Sequence, residues 1–495
     1  MKKKYCIGLL FSVLFLVSAC QKDFLERNPL DQITEEKFYN TAEDARRAVL
    51  AVYAPMQAVN WYGKSWMITE IPADNSTTGG NDPDFSPIDN FTINPDNGPN
   101  AEFWTEHFRL VTLANQVITK VPPIDMDEDQ KKAIIAEASF LRAFAYFDLV
   151  RIYGDVPIIQ QVPTLASDLQ VVRDPVEEVY DFIVADLEKG IADLPPAYTG
   201  LDLGRATRGA AQALLAKVYL TMKKFDEAIE LSREIIAEGR YRLMDDFAEN
   251  WLKETTDNNA ESIFQVQYAG CGPVGTGNAC QAFFAPWGQN ITRNSDGWGS
   301  QIPTGPSIDN PGTTVKDIYE EEDLRKYHTI MAPNDFYPMI NAQDGGYTYP
   351  TEGASRSGIS IKKYVIGGGP DVCFMTTPQN VHVIRYADVL LTLAEATCRR
   401  NGGITVTPDV VEAFNAVRTR AGLEEVGSVT TEMVFEERRK EFAFENQRWF
   451  DLLRMDNTIE IMRLHGKNMQ EFHRLFPIPS EERAINPKLD QNLGY

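Results

Sequence analysis

The chain is 495 residues long, 43% hydrophobic and 11% aromatic, which is enough apolar material for a large core and too much for a disordered chain. Its 71 acidic and 48 basic side chains leave a net charge of −23, with no basic stripe to offset it, so a nucleic-acid partner is excluded by repulsion from the phosphate backbone. The only long apolar run lies at the N-terminus, which excludes a bundle of several membrane-spanning helices.

Residues 1–20 open with Lys2, Lys3 and Lys4 and continue with an apolar stretch from Ile7 to Val17, the layout of a secretory leader. The run ends Val17-Ser18-Ala19-Cys20, which looks like a bacterial lipobox. It predicts a signal peptide over residues 1–19 and acylation of Cys20, and two or more acyl chains anchor a protein stably where one does not. The plainer reading is an ordinary signal cut after Ala19 with Cys20 incidental.

The helices follow in order. Thr41-Ala42-Glu43-Asp44 is a capping-box start for a helix whose stripe is Ala45, Ala48, Val49, Val52, Tyr53 and Met56. A second helix is predicted over 103–118 and a third over 131–153, with Phe140, Phe144 and Phe147 on one side. Asp174-Pro175 caps a fourth, with a stripe of Val176, Val179, Tyr180, Ile183 and Leu187 and a stop at Gly190. The clearest pair spans 210–238, broken at Lys223-Lys224, with Leu215-Ala216, Tyr219 and Ala228 at tetratricopeptide offsets. Looser repeats appear at Ala143/Tyr146 and at Ala394, the latter followed by a helix from Thr407-Pro408 to Gly422. Chance likeness among amphipathic helices is the alternative reading of the loose ones.

Long irregular segments separate the helices: 72–100, 270–312 and 332–380, the second holding nine of the 33 glycines. Segments of this length inside a compact domain are functional or disordered, and their aromatic residues favour function. Phe264, Val266 and Tyr268 alternate as a short strand leading into the second segment. Beyond the leader and Cys20, four cysteines remain. Cys271 and Cys280 bracket a Gly-rich loop and leave a bridge between them open in an oxidising compartment, while zinc spacing is absent.

Catalytic signatures are missing: no HExxH, no GxSxG and no phosphate loop occurs. The five histidines, His107, His328, His382, His465 and His473, are scattered and read as structural or surface residues. Acidic residues are plentiful, so a carboxylate pair for glycoside hydrolysis stays open, but nothing singles out two of them. Asp82, Asp84 and Asp89 lack EF-hand spacing and read as a solvated acidic loop before a calcium site.

Several ordered segments together resemble the SusD/RagB family of outer-membrane nutrient-binding lipoproteins. They are Cys20 to Glu26, Pro29-Leu30-Asp31-Gln32, Phe38-Tyr39-Asn40-Thr41, Ala138 to Ala143 and Tyr153-Gly154-Asp155-Val156-Pro157. Further along come Arg385 to Leu391, Glu437 to Phe442, Glu445 to Leu452, Phe476-Pro477-Ile478-Pro479 and the closing Asn486 to Tyr495. The resemblance implies a mainly α fold, a degenerate tetratricopeptide-repeat α-α superhelix with a long loop-rich insertion carrying short strands. It implies one domain over 20–495, divided as a helical part (20–260), the insertion (261–380) and a C-terminal helical part (381–495). It further implies outer-membrane, surface-exposed placement through the lipidated Cys20, a SusC-like TonB-dependent transporter as partner, a glycan or, in the RagB branch, a peptide as ligand, no cofactor and no enzymatic activity. The family motif at 437–452 reads as one helix with internal ion pairs, a scaffold before a ligand site.

A neutral oligosaccharide offers C–H faces that flat aromatic rings cover and hydroxyls that Asn, Asp and Arg satisfy. Candidates for such a site are Trp61, Tyr62 and Trp66 after the first helix, Asp74 and Asn75 in the next loop, and Trp287 and Trp298 in the Gly-rich segment. Trp104 and Trp449 sit in helical patterns and read as core. The expected function is capture of a glycan for import, with peptide capture and a lipid-anchored hydrolase as the alternatives.

Overall fold

A computed structural model describes residues 38–495 apart from 60, 63–65, 77–82, 163–164, 166–167, 169, 253, 272–276, 287, 290, 292–317, 355–357, 370–371 and 374. The leader, Cys20, Asp82, Trp287 and Trp298 lie outside the described residues.

Helix α1 (Ala42–Val52) begins as its capping box predicts: Thr41 Oγ1 accepts from the Asp44 amide at 3.2 Å, and the Asp44 carboxylate accepts from the Thr41 amide at 2.9 Å. Helices α2 (Gly98–Lys120) and α3 (Glu128–Tyr153) both start earlier than their apolar stripes, because the side chains of Asn97 and Asp127 cap them upstream of the first core contact. From Ala136 onward α3 is buried on nearly every face, since α1, α2 and α4 (Val176–Asp193) all pack against it. The expected stop of α4 at Gly190 is wrong. The helix runs on to Asp193, and a Cβ at position 190 would stand 3.1 Å from the Ala211 Cβ of α5 (Arg208–Thr221), so this glycine sets a close helix approach.

The 210–238 pair forms as expected. α5 packs on α6 (Phe225–Glu238), which closes on Gly239 in the left-handed conformation. Helix α7 (Tyr386–Arg400) then packs on α6 across the intervening insertion, and α8 (Pro408–Arg420) packs on α7. Each helix rests chiefly on its neighbour in the series α2 to α8, which is the geometry of a repeat-built α-α superhelix. The fold is mainly α.

The insertion hangs from an antiparallel pair, β1 (Ser262–Val266) with β6 (Val381–Arg385). The alternation of Phe264 and Val266 predicted a half-buried strand, yet Ile263, Phe264, Gln265 and Val266 are all buried, because β1 lies against α5 as well as against β6. Between these strands sit two short antiparallel pairs, β2 (Ile330–Met331) with β5 (Ser360–Ile361) and β3 (Phe336–Tyr337) with β4 (Tyr347–Thr348). The bridge open between Cys271 and Cys280 does not form: Cys271 bonds Cys373, and Cys280 is a free thiol buried in the core.

The motif read as one helix over 437–452 is two, α9 (Thr431–Glu441) and α10 (Arg448–Arg454). Phe444 and Asn446 between them take positive φ of 67° and 60°. Its charges are scaffold, as expected, but they bind across the molecule. Arg385 holds Glu441 and Glu445 at 2.8 Å each, Arg325 holds Glu437 at 2.6 Å, and Arg438 holds Asp388 at 2.7 Å and Asp451 at 3.0 Å. All these side chains are buried, so insertion and helices are joined by paired charges in low dielectric.

Glu70 stands in this region without such pairing. It is fully buried, and among the described residues neither oxygen has a side-chain partner in hydrogen-bonding geometry. Burial pushes its carboxyl up to about 8, against the opposing pull of the Asn446 and Gln447 amides and Lys363. The folded chain therefore keeps a proton that the unfolded chain gives up near pH 4.5, and stability falls as pH rises across that window, by at most about 1.4 kcal/mol per unit. Glu70→Gln should match the parent near pH 5 and be the more stable protein near pH 8, as read by urea melts at both. An equal difference at the two pH values would refute this.

Candidate functional site

Four of the proposed ligand residues turn inward. Trp61 is 0% exposed, its ring 3.7 Å from that of His107 and stacked at 6.2 Å on Phe144. Tyr62 stacks on the same Phe144 at 6.4 Å and is buried. Both line a pocket with Asp148, Arg151 and Lys217, and their burial leaves neither with a face for an external ligand. The Asp74 carboxylate takes Arg448 in a two-pronged pair at 2.7 and 2.8 Å, and the amide oxygen of Asn75 accepts from Arg439 at 2.7 Å. Burial alone would raise the Asp74 carboxyl, but Arg439 and Arg448 hold it far below the usual range. These two residues fasten the loop after α1 to α9 and α10; they are correctly read as charge and amide partners, but of protein cations in place of a sugar. The backbone of Trp66 lies in a short helix, Trp66–Thr69. Trp104 and Trp449 are core residues, as expected. Asp89 pairs with Lys467 at 2.8 Å, which uses its charge inside the protein.

An open cleft of about 430 Å³ lies in the insertion. One wall is the short helix Arg325–Thr329, which carries Tyr327 and His328, and the other is strand β3 with the turn after it, Tyr337 to Gln343. The rings of Tyr327 and Tyr337 stack with centroids 4.7 Å apart and planes 22° from parallel, and His328 meets Tyr327 edge-on at 5.0 Å. Tyr337 is fixed by its hydroxyl, which donates to the Ile330 carbonyl at 3.1 Å, and Tyr327 by its own, which donates to the Phe336 carbonyl. Tyr327 (37%) and Met339 (58%) stay exposed in the lining, and neighbouring Phe336 (49%) is exposed outside it. Gly346 makes the β3–β4 turn: its φ is 95°, and a Cβ there would stand 2.7 Å from the Phe336 ring. The floor is Trp251, buried, whose indole N–H has no hydrogen-bond partner among the described residues; Gln343, Glu254 and the buried Lys362 supply polar groups to the lining.

A second cleft, about 770 Å³, continues from the first and shares Tyr327 and His328 with it. Its lining is acidic, with Asp245, Asp246, Glu321, Glu322 and Asp335. Burial, aided by the nearby Lys362 charge, depresses the His328 imidazole to about 4, so it stands neutral between the two clefts at neutral pH. Of the cleft residues the sequence marked only a segment, 332–380, by its composition. Tyr327 and His328 precede that segment, and their meeting with Tyr337 depends on the β2–β5 and β3–β4 pairings, which leave no local pattern.

The fold and cleft define a class: a repeat-built helical scaffold that carries an aromatic-lined cleft on its insertion. Residues 249–495 match the model of the SusD family, and residues 23–220 match that of a family described as starch-binding, associating with the outer membrane. A SusD-like protein of Bacteroides ovatus is 30% identical over 479 residues, which cover 92% of this chain and 82% of that one. Among solved structures, a laminarin-binding SusD-like protein superposes with a TM-score of 0.77 at 27% identity, covering 92% of this chain and all of the other. A second, a crystal structure with xylogluco-oligosaccharide, gives 0.77 at 25% identity, with 89% and 97% covered. The chain belongs to the SusD family.

Proposed function

We propose that this protein is a cell-surface lipoprotein that captures an oligosaccharide in the Tyr327–Tyr337 cleft and passes it unchanged to a SusC-like TonB-dependent transporter. The observation that carries the binding role is the stacked tyrosine pair beside exposed Phe336 and Met339. Tyr327, held by its own hydroxyl and backed by the buried Tyr337 ring, presents a rigid apolar face to sugar C–H groups at little entropic cost. Relatives solved as a laminarin binder and with xylogluco-oligosaccharide support a glycan as ligand. The lipobox-like Val17-Ser18-Ala19-Cys20 and the outer-membrane description of the matching family support surface anchoring and the transporter partnership. Binding without cleavage is supported by relatives named as binders, a laminarin-binding SusD-like protein and a starch-binding protein SusD among them.

Tyr327→Ala removes one face of the stack and an exposed ring. It should weaken binding of laminarin or xyloglucan oligosaccharides by about tenfold or more, the scale of a lost ring–sugar contact, while leaving the melting temperature nearly unchanged. Isothermal titration and a thermal melt decide it. Unaltered affinity for every glycan that the parent binds would remove the cleft from the mechanism. Co-purification of a β-barrel transporter with the tagged native lipoprotein tests the partnership.

A further inference from the structure

Ten lysine and arginine side chains among the described residues are buried, and nine of them are paired with a carboxylate. Lys217 has Asp388, Lys363 has Glu445, Lys440 has Glu320 and Lys467 has Asp89, all within 2.8 Å. Lys362 is the tenth. It is 7% exposed and lines the aromatic cleft. Its ammonium donates to the Val365 carbonyl at 2.9 Å and lies 5.7 Å from the centre of the Tyr337 ring. No carboxylate among the described residues pairs with it.

Elsewhere in this chain, then, burial of a cation goes together with a counter-ion, as the cost of desolvating a charge requires. Lys362 breaks that rule at the one place where a ligand would sit. An ammonium has three donors, and among the described residues only the Val365 carbonyl takes one of them. Burial without an acidic neighbour pushes its pKa down to about 8, which still leaves most of it charged at neutral pH. A cation so placed forms a short charge-assisted pair with an anionic group that enters the cleft, in surroundings where water screens little.

We infer that the cleft selects a glycan bearing a carboxylate, a uronic acid unit, and that Lys362 receives that carboxylate. This rests on the reading of the cleft as a glycan site. The second cleft limits how many such units the ligand carries. Beyond Tyr327 and His328, Asp246, Glu321, Glu322 and Asp335 repel further anions, so a chain of consecutive uronates is disfavoured. The fitting ligand is a neutral chain with isolated acidic units.

Affinity electrophoresis of the full mature protein tests this, in native gels laid with glucuronoxylan, acidic arabinogalactan or xanthan, each run beside its carboxyl-reduced form, with laminarin, xyloglucan and polygalacturonate as further lanes. At least one acidic, sparsely charged polymer should retard the protein about tenfold more strongly than its carboxyl-reduced form, and polygalacturonate should not. The comparison uses the unaltered protein and does not depend on how a variant folds. Lys362→Met should erase the preference, with Lys362→Arg keeping part of it, and a thermal melt reports whether each variant is folded. Retardation by neutral glycans with no preference for any carboxylate form overturns this inference and leaves the glycan site standing. No retardation by any polymer overturns both. A preference that survives in folded Lys362→Met places the carboxylate elsewhere and overturns the role of Lys362.

Discussion

Arg385→Leu is expected to cost about 3–5 kcal/mol, a large share of the roughly 5–15 kcal/mol that holds a domain folded. The guanidinium is 1% exposed and bonds Glu261, Glu441 and Glu445 at once, joining the end of β6 to the start of β1 and to the turn after α9. Burial alone would raise the Glu441 carboxyl, but Arg420, Arg385 and Arg325 together hold it well below the ordinary carboxylate range. With Arg385 gone, three carboxylates share the remaining arginines inside a low-dielectric core. The penalty is then the repulsion and desolvation of stranded charges, which exceeds the net worth of the intact pairs. Two measurements separate this from simple loss of packing. Urea unfolding near pH 7 should show the loss, and the gap to the parent should narrow on acidification, because stranded carboxylates take up protons more readily than paired ones. A variant that unfolds within about 1 kcal/mol of the parent at pH 7, or a gap independent of pH, would contradict the account.

That network also marks the limit of what the sequence discloses. Helix pairs were legible because their information is local: Thr41 and Asp44 cap within one turn, and the 210–238 stripe repeats at helical spacing. The ion pairs of Glu437, Arg438 and Glu441 were legible as charge but not as contacts. Helical spacing suggested partners three or four residues away, whereas the actual partners come from Arg325, Asp388 and Arg385. The break between α9 and α10 was hidden for a related reason. Left-handed Phe444 does not announce a turn, and Asn446, though Asn tolerates that conformation, is a lone signal in a charged helical pattern; its side chain accepts from the Thr69 hydroxyl at 2.7 Å.

Four of the seven candidate ligand residues, Trp61, Tyr62, Asp74 and Asn75, turn out buried, and for an instructive reason. Trp61, Asp74 and Asn75 have the right chemistry for a sugar and lie in a loop, and loop membership was taken to mean exposure. The loop after α1 instead passes under α10, where Arg448 claims Asp74. Tyr327, Tyr337 and Lys362 carry no comparable local signature, because they come from a short helix and two different strand pairs and meet only when β2–β5 and β3–β4 form. A segment rich in aromatic residues could be flagged from composition; which of its rings stay outside depends on long-range pairing.

Loss of the Cys271–Cys373 bridge should be nearly as damaging as loss of Arg385. The bond closes 102 residues of chain, and a loop of that size restricts the unfolded ensemble by about 4–5 kcal/mol on the chain-entropy estimate. It fastens the exit of β1 to the approach of β6, beside the Asn278–Thr377 bridge where Gly277 lies so close under Thr376 that a Cβ would come within 2.4 Å of its Cα. Apart from Trp251, Leu252 and Glu254, the residues that line the cleft fall inside the closed loop, so most of the insertion is tied at its neck. Cys271→Ser with Cys373→Ser should lower the urea midpoint markedly, and reductant should lower the parent to the same value while leaving the double variant unmoved. Cys280→Ser tests the other pairing that spacing left open. Its thiol is buried and unbridged, so the variant should keep the parent's full response to reductant. If reductant leaves the parent's midpoint where it was, or if Cys280→Ser abolishes the response, the tie at the neck of the insertion is not the one described.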